Sequence, residues 1–366
     1  MILPINAKLR QAKLSKPHGN LNIAIIGAGI SGLSCATYLQ NAGLKVTIFD
    51  KSRGPSGRIS TRVVNDGNGN HWECDHGAQY FTARSAEFIA QVARWQNAGV
   101  AQIWHPRLKV IEDGQCKDRT LTSNVSIIKR YVGTPRMTSP SNFLASQLSL
   151  VTSTTISQIT YAESCFKLSA LEHGGLSEVF DIVLLAIPAP QASALLRPIN
   201  DQLTEIANSV TMRGCWALMV HYEESLALPF DGAFVNGNTL SWVARNSAKP
   251  GRLNNSLKNC TAETWLLHGS TEWSDAHIED ESESVTKDLI SAFNDIGKIT
   301  NTNMPTPISA RAHRWRYANS VPLLTHGSVW SNEAKLGLCS EWLNGGKVEG
   351  AWLSGVHLAR QVIQSI

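Results

Sequence analysis

Hydrophobic and polar positions along this chain follow two rhythms, and the first clear one begins at Leu21. LNIAIIG is a short, almost unbroken apolar run, the pattern of a parallel strand buried on both faces. In GAGISGLSCATYLQNAG small residues come first, and then Leu33, Ala36, Leu39 and Gln40 recur at helical spacing, with Gly43 placed to end the helix. KVTIFD reads as a second strand with an acid at its tip. A helix is predicted over 84–98, with Phe88, Val92 and Trp95 on one side, followed by short strands and turns from about 99 to 136. Another helix is expected over 140–149, where Pro140 is tolerated in the first turn. VTSTTISQIT and CFKLSAL read as strands. FDIVLLAIP is a buried strand ended by Pro188 and Pro190, expected to return to the first sheet.

Beyond it the texture changes. GCWALMVHY, LSWVARN and ETWLLHG alternate as strands with one polar face do, which predicts an antiparallel sheet. A charged helix is expected over roughly 275–296, and from about 345 a Gly-Gly turn opens into the helix VEGAWLSGVHLARQVIQ. No internal repeat or low-complexity tract appears. The expected class is α/β: a Rossmann-like domain with a second, mostly antiparallel-sheet substrate domain. The expected division is a flexible basic extension at 1–20 and a discontinuous cofactor domain at 21–104, 137–200 and 326–366. Substrate-side segments are expected at 105–136 and 201–325.

Composition narrows the picture a little. With 366 residues, 43% of them hydrophobic and 17% charged, the chain is long enough for two packed domains. The formal charge of +4 is a weak excess with no long basic stripe, so no nucleic-acid partner is expected. No apolar run reaches membrane-span length, and no membrane association is expected. The cysteines at 35, 74, 116, 165, 215, 260 and 339 are scattered without a Cys-x-x-Cys pair, which points to a reducing, cytoplasmic setting. His71, Glu73, Cys74, Asp75 and His76 cluster in sequence, but at no zinc spacing, so no metal is expected.

The chemistry begins at Gly27, Gly29 and Gly32, a Gly-x-Gly-x-x-Gly set between strand and helix that also takes in Ala28, Ile30 and Ser31. The first glycine permits the tight turn, the second lets a pyrophosphate approach the backbone, and the third lets helix and strand pack. Free N–H groups and the positive helix end receive the phosphate charge. Asp50, 23 residues after Gly27, suits a ribose 2′-hydroxyl and argues against NADP. Lys51, Arg53 and Arg58 place positive charge just beyond it, with Gly54 and Gly57 allowing close approach, and Arg58 is the expected phosphate contact.

With KSRGPSGR added to the glycine motif, the chain resembles the bacterial renalase-like flavoproteins, within the superfamily of flavin amine oxidases and aromatic hydroxylases. DHGAQYFTAR at 75–84, LSWVARNSAKPGR at 240–252, AHRWRYA at 312–318 and GGKVEGAWLSG at 345–355 carry the rest of the resemblance, which runs from about 21 to 362. It implies a two-domain flavoprotein with non-covalent FAD, which takes a hydride at flavin N5 from a misreduced 2- or 6-dihydro NAD(P)H isomer. Oxygen then reoxidises the flavin, giving NAD(P)⁺ and hydrogen peroxide. By the same resemblance Gly77, Ala78, Gln79, Tyr80, Glu341, Val348 and Glu349 join the glycine loop, Asp50 and Arg58 among cofactor-facing positions. The sequence departs from the family at Ser56, where Gly-Gly-Arg is usual, and at Glu341, where Gly-Asp-Trp is usual.

Residue types add the remaining candidates. The first turn at Val348–Gly350 is suited to stabilise negative charge at the reduced flavin edge, and small residues at Gly350, Ala351, Ser354 and Gly355 permit close approach or tight packing. No obligatory acid, base or nucleophile emerges, and His268 and His313 are the weak catalytic candidates. Trp242, Trp315 and Tyr317 are candidate aromatic walls, and Arg245, with Lys249, Arg314 and Arg316, a candidate attractor of dinucleotide phosphates. Cys339 lies nearest a cofactor motif without making a convincing covalent anchor. The expected partners are a small reduced nicotinamide or amine, and oxygen; oligomeric state is not legible. Amine oxidation is the alternative, followed by flavin monooxygenation and a non-catalytic flavin-binding role.

Overall fold

The computed structural model describes residues 21–65, 71–118, 128–252 and 262–366; the basic extension expected at 1–20 lies outside them. The first elements are β1 (Asn22–Ile26), α1 (Ile30–Asn41) and β2 (Lys45–Phe49), in the predicted order. A hairpin of β3 (Thr61–Asn65) and β4 (His71–Asp75) leads to α2 (Ala86–Asn97). Four short strands follow: β5 (Ala101–Trp104), β6 (Leu108–Glu112), β7 (Gln115–Asp118) and β8 (Arg130–Gly133). Then come α3 (Ser139–Ala145), β9 (Ser149–Val151) and a meander of β10 (Ile156–Ala162), β11 (Cys165–Ala170) and β12 (Gly174–Phe180). β13 (Ile182–Leu185) precedes α4 (Ala189–Leu196) and α5 (Asp201–Asn208). β14 (Thr211–Tyr222), β15 (Gly232–Val235), β16 (Leu240–Arg245) and β17 (Glu263–Gly269) are followed by α6 (Thr271–Ala276) and α7 (Ser282–Ile299). The last elements are β18 (Ser309–Val321), β19 (Val329–Ser331), β20 (Leu336–Leu338) and α8 (Lys347–Ser365).

These elements form two compact units. Unit 1 comprises the described residues up to Gly57, Ser141–Met212 and Ser320–Ile366; unit 2 comprises Arg58–Pro140 and Arg213–Asn319. The first segment of unit 1 is thus shorter than the expected 21–104. The reason lies in the β3–β4 hairpin, whose Trp72 and Cys74 pack with Ala217, Met219 and Leu266 inside unit 2.

Unit 1 is built on a six-stranded sheet of order β19-β20-β13-β1-β2-β9. β1 runs parallel to β2 (Ile23↔Val46) and to β13 (Ile23↔Ile182), so β13 does return to the first sheet. A strand with parallel neighbours on both sides and cover on both faces has to be apolar throughout, which accounts for LNIAIIG and DIVLLA. α8 lies close against α1: the Ser34 hydroxyl donates to the Trp352 carbonyl at 2.9 Å.

Unit 2 holds a seven-stranded sheet, β18-β14-β17-β16-β15-β6-β7, antiparallel in its β14, β17, β16 and β15 pairings and parallel between β15 and β6. Side chains alternate across a strand. Leu218, Val220, Val243, Trp265 and Leu267 therefore meet Val285, Leu289, Phe293 and Ile296 of α7 on one face. Ala217, Met219 and Leu266 point the other way, and His268, two residues on from Leu266, shares their face. The charged helix expected over 275–296 is instead two helices, because Asp280 closes a turn on His277 through both its amide and its carboxylate.

Candidate functional site

The glycine loop behaves as a cradle. Gly27 sits at φ +109, and a Cβ there would lie 2.5 Å from the Ala186 carbonyl oxygen. A Cβ on Gly32 would lie 2.0 Å from the Gly27 oxygen, whereas nothing stands within 4 Å of one built on Gly29. Gly29 caps α1 without a side-chain hydrogen bond, and the first turn holds no acidic residue. The first-turn N–H groups of a helix have no partner within the helix, so this end carries positive potential. Asp50 stands against the same loop: one carboxylate oxygen accepts from the Ala28 amide at 2.6 Å and the other from the Ser52 amide at 2.8 Å. Lys51 and Arg53 are exposed, with no ion-pair partner among the described residues. The chain then returns over the loop: the Ser56 amide donates to the Ala28 carbonyl at 3.0 Å, and a Cβ on Gly57 would lie 3.3 Å from Gly29 Cα.

At the far end of unit 1, Val348, Glu349 and Gly350 form the first turn of α8, which Gly346 caps without a side-chain bond. The small residues here serve packing. A Cβ on Gly350 would lie 2.1 Å from the Asn344 oxygen, one on Gly355 would lie 2.1 Å from the Ser31 oxygen, and the Ser354 hydroxyl accepts from the Ser340 amide at 2.9 Å. Glu341 sits in the preceding turn, its carboxylate accepting from the Ser340 hydroxyl at 2.6 Å. Cys339 is buried.

In unit 2 the stretch after β4 is locked in place. Arg58 donates to the Tyr317 carbonyl at 3.2 Å, the Ala78 amide donates to the Arg58 carbonyl at 2.9 Å, and a Cβ on Gly77 would lie 2.0 Å from that same oxygen. Asp75 is fully buried between Lys249 (2.9 Å) and Arg252 (2.6 Å), with Thr61 donating to its other oxygen at 2.7 Å. Burial alone would raise its pKa, but the two cations hold it well below the carboxylate range. Burial lowers the pKa of Lys249, and Asp75 opposes that. The Gln79 amide is spent inside this network: it donates to the Asp75 and Gly77 carbonyls and accepts from Lys249 at 3.0 Å. The Gln79 side chain is thus held by protein partners on both its oxygen and its nitrogen.

The candidate substrate residues form two aromatic clusters joined through His268, which hydrogen-bonds the His76 backbone. On the face shared by β16 and β17, Trp242 lies opposite His268. Trp242 also packs on Tyr80, at 5.8 Å between ring centroids, and on Phe234 at 4.8 Å; Tyr80 in turn meets Trp104 at 6.1 Å. Trp315 stacks on His76 at 5.1 Å and donates its indole N–H to the His76 carbonyl at 2.8 Å, while His313 meets both rings edge-on. Burial drives all three histidines toward the neutral form. His76 is pushed down to about 3, with His313 and Arg62 adding to the effect, and His268 to about 4. His313 also falls to about 4, helped by Arg62 and Arg311. Tyr317 contributes its carbonyl to Arg58.

The Arg245 guanidinium pairs with Asp231 and, at 2.8 Å, with Glu263, so its charge is shared with two carboxylates of its own sheet. Arg314 and Arg316 are likewise held by Glu279, and Lys249 by Asp75. Sequence reasoning missed Trp104, Phe234 and Arg252. Arg252 had a faint signal, as the last residue of LSWVARNSAKPGR, but its partner is remote in sequence. Among the described residues no group of three or more His, Cys, Asp or Glu is placed to hold a metal, and no helix is long and apolar enough to cross a membrane.

Residues 25–94 match the family model of the NAD(P)-binding Rossmann-like domain. Over 55 residues the chain is 47% identical to an L-amino-acid oxidase of Daboia russelii, a match that covers 15% of this chain and only 11% of that protein. Its structure is similar to that of a protein assigned as a protoporphyrinogen oxidase from Exiguobacterium sp. 255-15, with a TM-score of 0.70 at 13% identity, over 94% of this chain and 98% of the other. Cyclohexylamine oxidase from Brevibacterium oxydans IH-35A gives a TM-score of 0.66 at 12% identity, over 94% and 99%. The chain thus contains a Rossmann-like nucleotide-binding domain and shares the α/β fold of these two solved structures.

Proposed function

We propose that the chain is an FAD-dependent oxidoreductase whose unit 1 holds the dinucleotide and whose unit 2 recognises the substrate. The observation that carries this reading is the uncapped amino end of α1, free of acid, set above a glycine cradle with a carboxylate at its side. Those residues fit the group: N–H donors at Gly29, Ile30, Ser31 and Gly32 for the diphosphate, with Ala28, whose own amide bonds Asp50, carrying the loop between them, and Asp50 for the adenosine ribose. Lys51 and Arg53 add positive charge. Gly57, Arg58, Gly77, Ala78, Tyr80, Glu341 and the turn at Val348–Gly350 are assigned to the rest of the cofactor. When bound non-covalently, FAD supplies a two-electron acceptor that oxygen discharges, with hydrogen peroxide as the product.

We assign the donor as a reduced nicotinamide carrying its extra hydride at ring position 2 or 6, and the product as NAD(P)⁺. Such a dihydropyridine becomes aromatic by losing a hydride and need not give up a proton. Histidines held neutral by burial agree with that: His268 and His313 orient a polar group rather than carry charge. Trp315 offers flat apolar surface to a flat ring, and Trp242, packed on Tyr80 and Phe234, is assigned to the same aromatic wall. Amine oxidation is the second reading, supported by similar proteins named as amino-acid and amine oxidases. A reducing, cytoplasmic setting is part of the proposal.

The test is anaerobic mixing of the FAD-loaded protein with 2- and 6-dihydronicotinamide dinucleotides, ordinary NADH and a panel of amines, following loss of flavin absorbance. Fast bleaching by the isomeric dinucleotides is expected. Bleaching by amines alone would overturn the donor assignment, and none by any donor would favour a non-catalytic flavin binder.

A further inference from the structure

We propose that the Ser56 hydroxyl is an additional phosphate donor in the dinucleotide cradle, at a position where glycine would give none; the proposal rests on the FAD reading above. The backbone of Ser56 lies at φ +133, a region L side chains rarely adopt and glycine enters freely. Its amide bonds the Ala28 carbonyl at 3.0 Å and it bridges Gly29, the residue that caps α1, so its side chain leaves the main chain beside the helix's amino end. The residue is 2% exposed, and its hydroxyl has no hydrogen-bond partner among the described residues. A buried hydroxyl left unpaired is unfavourable, and so is the backbone conformation; glycine would remove both penalties.

Ser31, in the first turn of the same helix, repeats the pattern: it is 4% exposed and its hydroxyl is also without a partner. Gly29 connects the two serines, through two residues of chain to Ser31 and through its bridge to Ser56, and it is the loop position where a side chain would meet nothing within 4 Å. The acceptor these hydroxyls await is an anion's oxygen. The Asp50 carboxylate, on the same loop, is already taken by the Ala28 and Ser52 amides, and the helix end favours negative charge. A diphosphate meets that description. On this view Ser56 is not a tolerated flaw in a glycine position but a residue that exchanges backbone ease for a phosphate contact.

The experiment uses the full chain, stripped of flavin, as wild type, Ser56→Ala and Ser56→Gly. FAD affinity is read from quenching of flavin fluorescence, the bound diphosphate from phosphorus NMR, and the flavin-free protein from thermal unfolding. Ser56→Ala is expected to bind FAD about ten-fold more weakly, the order of one hydrogen bond to a charged group, and to move the diphosphate resonances. Ser56→Gly is expected to weaken FAD similarly while raising the melting temperature of the flavin-free protein. FAD affinity within two-fold of wild type for both variants, with unmoved resonances, would overturn the proposal while leaving the FAD reading intact. A wild type that takes up no FAD would overturn both.

Discussion

Replacing Asp75 with asparagine isolates the charge that holds unit 2 together at its buried polar centre. The side chain keeps its shape and can still accept from Thr61, but it no longer neutralises Lys249 and Arg252. Those two side chains are 0% and 3% exposed, so neither can recover its hydration by a small movement. Removing one partner of a buried ion pair typically costs about 3–5 kcal/mol, because a charge is left without compensation. Here two cations face each other across the vacated charge, although Lys249, its pKa already lowered by burial, can limit the cost by giving up its proton. For a unit of this size the loss corresponds to a fall in melting temperature of about 6–20 °C. Urea and thermal unfolding, followed by circular dichroism at neutral pH, measure it. The double variant Asp75→Asn with Lys249→Met should regain at least half the loss. A single variant within about 1 kcal/mol of wild type would refute the claim that Asp75 neutralises buried charge.

Further outcomes follow from the same geometry. His76 has its pKa pushed down to about 3, so above its ordinary value of about 6.5 folding is favoured by its neutral form; as pH falls the unfolded chain takes up a proton that the folded one refuses. Between pH 7 and 5 this removes about 2 kcal/mol, His268 and His313 act in the same direction, and thermal melts should show His76→Gln losing less stability over that range than wild type. Gly32→Ala places a Cβ on the Gly27 oxygen, and FAD affinity measured by fluorescence should fall at least about ten-fold with a stability loss of about 1–3 kcal/mol. Arg245→Met leaves Glu263 and Asp231 short of a cation, so it should lower stability by about 3 kcal/mol and leave the KM for a dinucleotide donor unchanged.

Much of unit 1 was legible because its signals are local. An apolar run without alternation, three glycines at fixed spacing, and an acid at the next strand's tip all lie between Leu21 and Asp50. The alternation in LSWVARN and ETWLLHG likewise gave the antiparallel sheet, and with it the face shared by Trp242 and His268. What stayed hidden depends on partners far along the chain. Lys249 and Asp75 meet across 174 positions, and Arg245 finds Asp231 and Glu263 only when β16 is laid in its sheet, so both cations looked free to bind phosphate. The small residues of α8 were ambiguous for the same reason. Glycine reads alike whether a ligand or another helix comes close, and it is α1 that stands at Gly355. The unit boundary at Gly57 turned on where the faces of Trp72 and Cys74 are buried, which no local pattern states.

A dinucleotide seated on the helix end above Gly29 is the central requirement of the proposed function. Titrating the flavin-free chain with FAD by calorimetry tests this most directly. Saturation at one FAD per chain, weakened at least about ten-fold by Gly32→Ala, is the predicted result. Absence of binding at any FAD concentration, or binding that Gly32→Ala leaves untouched, would contradict it.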